Sequence, residues 1–249
     1  MRAVAAAAVA ALVVASCSGD SRANDPPLTR ATTAPAPVES TTTTEAPLIG
    51  QPLVVAEQGV SSWPDPFDHT STLGGYGVIL QNPNADLMAT GVRVLTRVLD
   101  PTGAELLVDS TLLNAVMPGQ RMALGRTLIE PVVNPTQLAV TIEVAAWLHP
   151  ATTEGGLTTD AVVTEPEPNG GAITRFTVRS TWPEPEEGVD VTAIYRALDG
   201  RILGAESTVI PLVQPDGEAA GQIRLLSPIP DLASTEVFVG RGLAAQTTG

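Results

Sequence analysis

Shifted by 97 residues, the chain falls on itself. Gly91, Val92 and Val94 land on Gly188, Val189 and Val191, and Gly103 and Leu106 land on Gly200 and Leu203. Ser110-Thr111 match Ser207-Thr208, Val116-Met117-Pro118 match Val213-Gln214-Pro215, and Pro131 matches Pro228. The register holds without a gap for about 40 residues. A period this long describes two tandem domains of about 90 residues each, since solenoid repeats run to only about 20–50 residues. Upstream the match weakens, and Val54-Val55-Ala56-Glu57 can be laid on Val162-Val163-Thr164-Glu165 only at a larger offset.

Within each copy the apolar residues recur at period two. Val92, Val94, Thr96 and Val98 alternate with Arg93, Leu95, Arg97 and Leu99. Leu138, Val140, Ile142, Val144 and Ala146 alternate with Ala139, Thr141, Glu143 and Ala145. Such runs, bounded by turn formers, are half-buried strands. The first copy offers strands near 52–57, 76–82, 91–99, 104–110, 111–116, 121–129 and 138–147. Asp100-Pro101-Thr102-Gly103 and Pro118-Gly119 supply turns, matched by Ala197-Leu198-Asp199-Gly200 and Pro215-Asp216-Gly217. No window carries a long amphipathic helix. The expected fold is all-β, two tandem immunoglobulin-like antiparallel β-sandwiches. Cys17 is the single cysteine, so neither core can hold a disulfide and both must rest on aliphatic packing.

Ahead of the domains, residues 3–16 form an apolar run of small residues behind Arg2. Fourteen residues fit a secretory h-region of about 7–15 and fall short of the about 20 that span a bilayer. The run closes on Val14-Ala15-Ser16-Cys17, which resembles the bacterial lipobox. That resemblance implies cleavage before Cys17, lipid on its sulfur, and a cell-membrane location on the extracytoplasmic face. Residues 18–48 alternate Pro26, Pro27, Pro35, Pro37 and Pro47 with threonines and carry almost nothing apolar, so they are expected to be a disordered stalk. Its threonines are candidate glycosylation sites. The expected divisions are a signal peptide at 1–16 and the lipidated Cys17 with its linker at 17–48. A sandwich at 49–148, a linker at 149–158, a second sandwich at 159–242 and a tail at 243–249 follow.

Removing the leader leaves 12 arginines, no lysine and 27 acidic groups, a balance of about −15. That charge argues against nucleic acid and against lying flat on an anionic bilayer. His69 and His149 are the only histidines, and there is no Gly-Xaa-Ser-Xaa-Gly elbow and no phosphate-binding glycine loop. Nucleophilic catalysis normally needs such a base, so no enzymatic activity and no cofactor are expected.

The two copies differ most before their second strand. The first carries a longer segment, Gly59 to Leu73, that gathers Trp63, Asp65, Phe67, Asp68 and His69. An added loop on a rigid sandwich is a usual place for function. Trp63 and Phe67 suit a stacking surface for a glycan or protein partner, but the plainer reading, which we favour, is that they plug the edge of a core short of large side chains. Asp65, Asp68 and His69 offer too few nitrogen or sulfur donors for zinc and no calcium-loop spacing, so no metal is expected. In the second copy Trp182 stands at the base of the acidic hairpin Glu184-Pro185-Glu186-Glu187, which reads first as a solvated turn and otherwise as a surface for a basic partner or a divalent cation.

Tyr76-Gly77-Val78-Ile79-Leu80-Gln81-Asn82-Pro83-Asn84, Gly91-Val92-Arg93-Val94, Leu99-Asp100-Pro101-Thr102-Gly103 and Val116-Met117-Pro118-Gly119-Gln120 follow in order. Together they resemble the FxLYD-type immunoglobulin-like modules of bacterial envelope proteins. The likeness covers about 50–148 and is looser over 159–241. It implies a sandwich with structural or binding roles and supplies no catalytic residues. The resulting expectation is a lipid-anchored envelope protein acting as a non-enzymatic binding or structural module. An accessory subunit of a membrane complex and a cell-wall glycan binder are the alternatives.

Overall fold

The computed structural model describes residues 46–66, 68, 70–128, 134–151, 155–168 and 170–241. The leader, Cys17, the linker as far as residue 45, Phe67, His69 and residues 242–249 lie outside the described residues. The described residues form strands and turns with no helix. The first copy contains β1 (Val54–Pro64), β2 (Thr72–Gln81), β3 (Met88–Leu99), β4 (Glu105–Val116), β5 (Arg121–Leu128) and β6 (Gln137–Leu148). The second contains β7 (Leu157–Pro166), β8 (Ala172–Ser180), β9 (Glu186–Arg196), β10 (Ile202–Val213), β11 (Glu218–Leu225) and β12 (Ser234–Gly240).

Each copy is a sandwich of two three-stranded antiparallel sheets. In the first the sheet orders are β1-β2-β5 and β4-β3-β6; in the second they are β7-β8-β11 and β10-β9-β12. Pairing of the second strand with the fifth, and of the third with the sixth, gives the Greek-key connectivity of immunoglobulin-like sandwiches. The alternation read from the sequence is the packing. Val92, Val94 and Val98 are fully buried, and β3 sets Val92, Val94 and Thr96 opposite Val144, Ile142 and Val140 of β6. The repeat is equally literal, since β4 and β5 displaced by 97 residues give the bounds of β10 and β11. Gly91 and Gly188 fall on each other and both take a left-handed φ, +57° and +62°, that favours glycine.

Four details depart from the sequence reading. Residues 104–110 and 111–116 are one continuous strand, β4, because Leu107 to Val116 pair along β3 without interruption down to Ala89. The second domain begins at Leu157, two residues early. Val54 pairs with Gln81 as Thr158 pairs with Arg179, and Gln81 and Arg179 occupy the same place against Arg121 and Glu218. Val54 therefore corresponds to Thr158 and not to Val162. Finally, Gly59 to Trp63 belong to β1 and not to a loop, because β2 pairs with them through Gly77, Gly75 and Gly74 as far as Pro64–Thr72.

Two buried polar clusters pin the first sandwich. The Asn82 amide donates to the carbonyls of Leu87 (2.8 Å) and Val116 (2.9 Å), while its oxygen accepts from the backbone and side chain of Asn84. Asn84 in turn exchanges two 2.8 Å hydrogen bonds with the Gln51 backbone. The Asn-Pro-Asn string thus closes three chain segments over one end of the core. Across the sandwich the Tyr76 hydroxyl donates to Asp109, and Arg126 stands 3.5 Å from the same carboxylate. Burial, then the Asp109 charge, pushes the Tyr76 hydroxyl far above its usual range.

The copies pack sheet on sheet. On β2, Tyr76, Val78 and Leu80 point into the first core, while Ile79 points out to join Ala123, Ile194, Ile202, Ala205 and Phe238 in a separate buried cluster. The β1-β2-β5 sheet of the first copy therefore lies on the β10-β9-β12 sheet of the second, which makes four layers. Glycine permits the close approach: a Cβ on Gly75 would stand 2.7 Å from the Leu203 carbonyl oxygen, and one on Gly77 2.9 Å from Ile194. Burying Ile79, Ile194 and Ile202 contributes roughly 1.5–3 kcal/mol each.

This contact is heterologous, because unlike faces of the two copies meet. The outer face of β7-β8-β11 is equivalent to the seam face of the first copy, yet Arg175 stands where Gly77 does. That face carries Arg175–Glu165, Arg179–Asp160, Arg179–Glu218 and Arg224–Glu167 ion pairs. At the Gly77 position this face thus has an ion-paired arginine in place of a glycine that allows close approach.

Candidate functional surface at the interdomain seam

The candidate residues of the Gly59–Leu73 segment separate in the structure. Trp63 is 5 % exposed and, with Leu73, joins the core cluster of the second domain beside Leu203 and Ile229. The β1–β2 hairpin is a finger from the first sandwich that closes the edge of the second. Trp63 is therefore a packing residue and not an exposed platform. Asp65 and Asp68 organise the hairpin loop. The Asp68 carboxylate accepts from the Thr70 backbone (3.0 Å) and hydroxyl (2.6 Å), and Asp65 accepts from Ser71 at 3.2 Å. Phe67 and His69 lie outside the described residues.

Trp182 is also buried, 4 % exposed, with the Arg241 guanidinium 4.8 Å above its ring. Arg241 makes a two-pronged pair with Glu186 at 2.5 and 2.9 Å. Glu186 is 1 % exposed, so the hairpin is not uniformly solvated as its sequence suggests. Glu184 and Glu187 remain exposed. The tryptophan and arginine line a cleft of about 270 Å³, shared with Met117, Pro118 and Gln120 of the first domain.

Ion pairs from both domains ring one end of the seam. Arg196 of β9 reaches Glu57 of β1 at 2.8 Å and Glu236 of β12 at 2.9 Å. Arg121 of β5 reaches Glu57 at 2.6 Å and Glu236 at 3.8 Å, and lies 5.6 Å over the Phe238 ring. Positive and negative groups alternate around the ring. Burial would raise the Glu57 carboxyl, but the hydrogen bond and charge of Arg196, with those of Arg121, hold it below its usual range. The Ser61 hydroxyl donates to the Leu203 carbonyl, and Gln120 Nε2 donates to the Val239 carbonyl at 3.1 Å.

At the other end of β9 the cover stops. Asp190, Thr192, Ile194 and Arg196 alternate along the face turned to the first domain, while Val189, Val191, Ala193 and Tyr195 face the second core. Ile194 is roofed, and Thr192 shares a 2.9 Å hydrogen bond with Ser207. Asp190 lines a groove of about 220 Å³ together with residues of β4 and β5 of one domain and β10 of the other. Val209, opposite Asp190 on β10, is 54 % exposed, and Leu112, opposite Arg93 on the outer face of β4, is 55 % exposed. Burial pushes the Asp190 carboxyl up, with no opposing cation. In the repeat Asp190 takes the place of Arg93, and the sequence alone does not show that another domain partly covers it.

Among the described residues no cluster of three or more His, Cys, Asp and Glu is arranged to hold a metal ion, and no helix is long and apolar enough to cross a membrane. No protein-family model matches the chain, and no curated protein matches it.

Proposed function

We propose that this chain is a lipid-anchored protein of the bacterial cell envelope, held by Cys17, that serves as a non-enzymatic binding module. The observation that carries this reading is the paired body itself. Two sandwiches are locked by a glycine-lined seam and an ion-pair ring, and exposed aliphatic side chains are left on the rim of that seam. The lipobox-like Val14-Ala15-Ser16-Cys17 and the Thr/Pro segment would hold it at a distance from the bilayer, and the FxLYD-type resemblance supports an envelope role.

A protein partner fits better than a glycan. Glycan recognition by stacking needs accessible aromatic faces, and Trp63 and Trp182 are both committed to packing. Membership of a membrane complex is the second reading, favoured by exposed Leu112 and Val209 on one groove. Fractionation of cells carrying the native chain or Cys17→Ala tests the anchor, with in-cell cross-linking on the same samples. The native protein should sediment with membranes and cross-link to a protein, and Cys17→Ala should be released while remaining folded. Sedimentation of Cys17→Ala with membranes would make the apolar leader the anchor.

A further inference from the structure

We infer that the groove at Asp190, between β4 and β10, is a docking site for a basic side chain, lysine above all, on an extended segment of a partner protein. The inference deepens the binding-module reading and rests on it.

Four observations meet in this groove. Its carboxylate is uncompensated: Glu57 and Glu236 face arginines, Glu186 holds Arg241, and Glu206 accepts from the Thr127 backbone at 3.3 Å. Asp190 alone of the seam carboxylates has no donor among the described residues. A partly exposed carboxylate with no protein donor leaves its charge available to a partner. Thr192 and Ser207 add hydroxyls beside it, which suits an ammonium with three donors.

The apolar side of the groove matches the rest of a lysine. Its four-carbon stem lies favourably along apolar surface while the head reaches a charge, and exposed Val209 stands directly opposite Asp190. Both walls are edge strands, since β4 pairs only with β3 and β10 only with β9. Edge strands accept an extended peptide backbone. The chain's net charge of −14 draws basic partners toward the surface. Because the walls come from two domains, the site exists only while the seam is closed.

The test uses the full chain, isotopically labelled, and a capped Thr-Val-Lys-Val-Thr peptide, with the same peptide carrying Gln at its centre as control. Saturable shift changes at Leu112, Thr192, Ser207 and Val209 are expected with the lysine peptide. The Gln peptide should bind at least tenfold more weakly. Asp190→Asn, which keeps the shape, should weaken the lysine peptide at least tenfold, and Glu184→Gln, at an exposed carboxylate elsewhere, should leave it unchanged. Equal binding of both peptides, unchanged binding to Asp190→Asn, or no saturable change at millimolar peptide overturns the inference. A chain that still cross-links a partner in cells yet ignores the lysine peptide overturns the groove and leaves the module reading standing.

Discussion

Gly75 of β2 and Leu203 of β10 meet across the seam so closely that the glycine has no room for a side chain: an added Cβ would stand 2.7 Å from the Leu203 carbonyl oxygen and 3.0 Å from the Gly204 Cα. Backbone cannot move aside as a flexible side chain can. The two sandwiches are thus joined by main chain against main chain, with Ile79, Ile194 and Ile202 filling what remains.

Gly75→Val should therefore open the seam. Overpacking at a fixed contact destabilises by about 1–3 kcal/mol. The expected result is a lower urea midpoint. Gly119→Ala is the comparison, at a turn glycine with open space around it but a φ of +70°, and its loss should come from backbone strain alone.

Arg196→Met should loosen the same seam electrostatically. The arginine is 14 % exposed while Glu57 is 40 % exposed, so solvent screening limits the loss to about 1–2 kcal/mol. The pH dependence has a definite sign. Glu57 is held below its ordinary value in the folded state. Its contribution is present above the unfolded carboxyl value, near 4.5, and is lost as pH falls through the lower folded value. Native and Arg196→Met melting temperatures should converge in that acidic window.

Glu186 and Arg241 form a pair with one member almost wholly buried. Arg241→Ala should cost about 3–5 kcal/mol, because it strands a carboxylate and uncovers Trp182. Adding Glu186→Gln to Arg241→Ala should recover part of that loss, read as a higher urea midpoint for the double variant. Equal midpoints for the single and double variants would mean the loss is packing on Trp182 alone.

Asp190→Asn runs the other way. Burial raises the folded carboxyl value, so the native protein gains stability as pH falls and loses it as pH rises through that value. At pH 7 the variant should melt about 1–4 °C higher than the native chain, and the difference should vanish toward pH 3.

Val94→Asp places an unpaired charge at a fully buried position opposite Ile142. It should prevent folding, recognised by loss of dispersed amide resonances.

Much of this was written locally in the chain. Val92, Val94 and Val98 gave the strand and its inward face, Asp100-Pro101-Thr102-Gly103 gave a hairpin closed by an Asp100–Gly103 turn, and the 97-residue shift gave the second domain. The seam was not legible, because Gly74-Gly75-Tyr76-Gly77 reads as a weak strand until a second sheet lies on it. Only the comparison with Arg175 at the Gly77 position in the other copy marks that face as different. Trp63 does plug a core, as one reading of the sequence had it, but the core is that of the other domain, because its partners Leu203 and Ile229 are far away in sequence. Asp190 looks like any outward polar residue between valines, and its half-burial comes from β4 and β5 of the other domain.

The two sandwiches form one body through the seam cluster of Ile79, Ile194 and Ile202. Pulsed electron-spin distance measurement tests it, with labels at Ser110 on the outer face of β4 and Gln222 on the outer face of β11 in a Cys17→Ser background. Three inter-sheet spacings of about 10 Å separate those faces. A single narrow distance, on the order of 30 Å plus the label arms, is expected in the native chain and should broaden in Gly75→Val. A broad distribution in the native chain would contradict it.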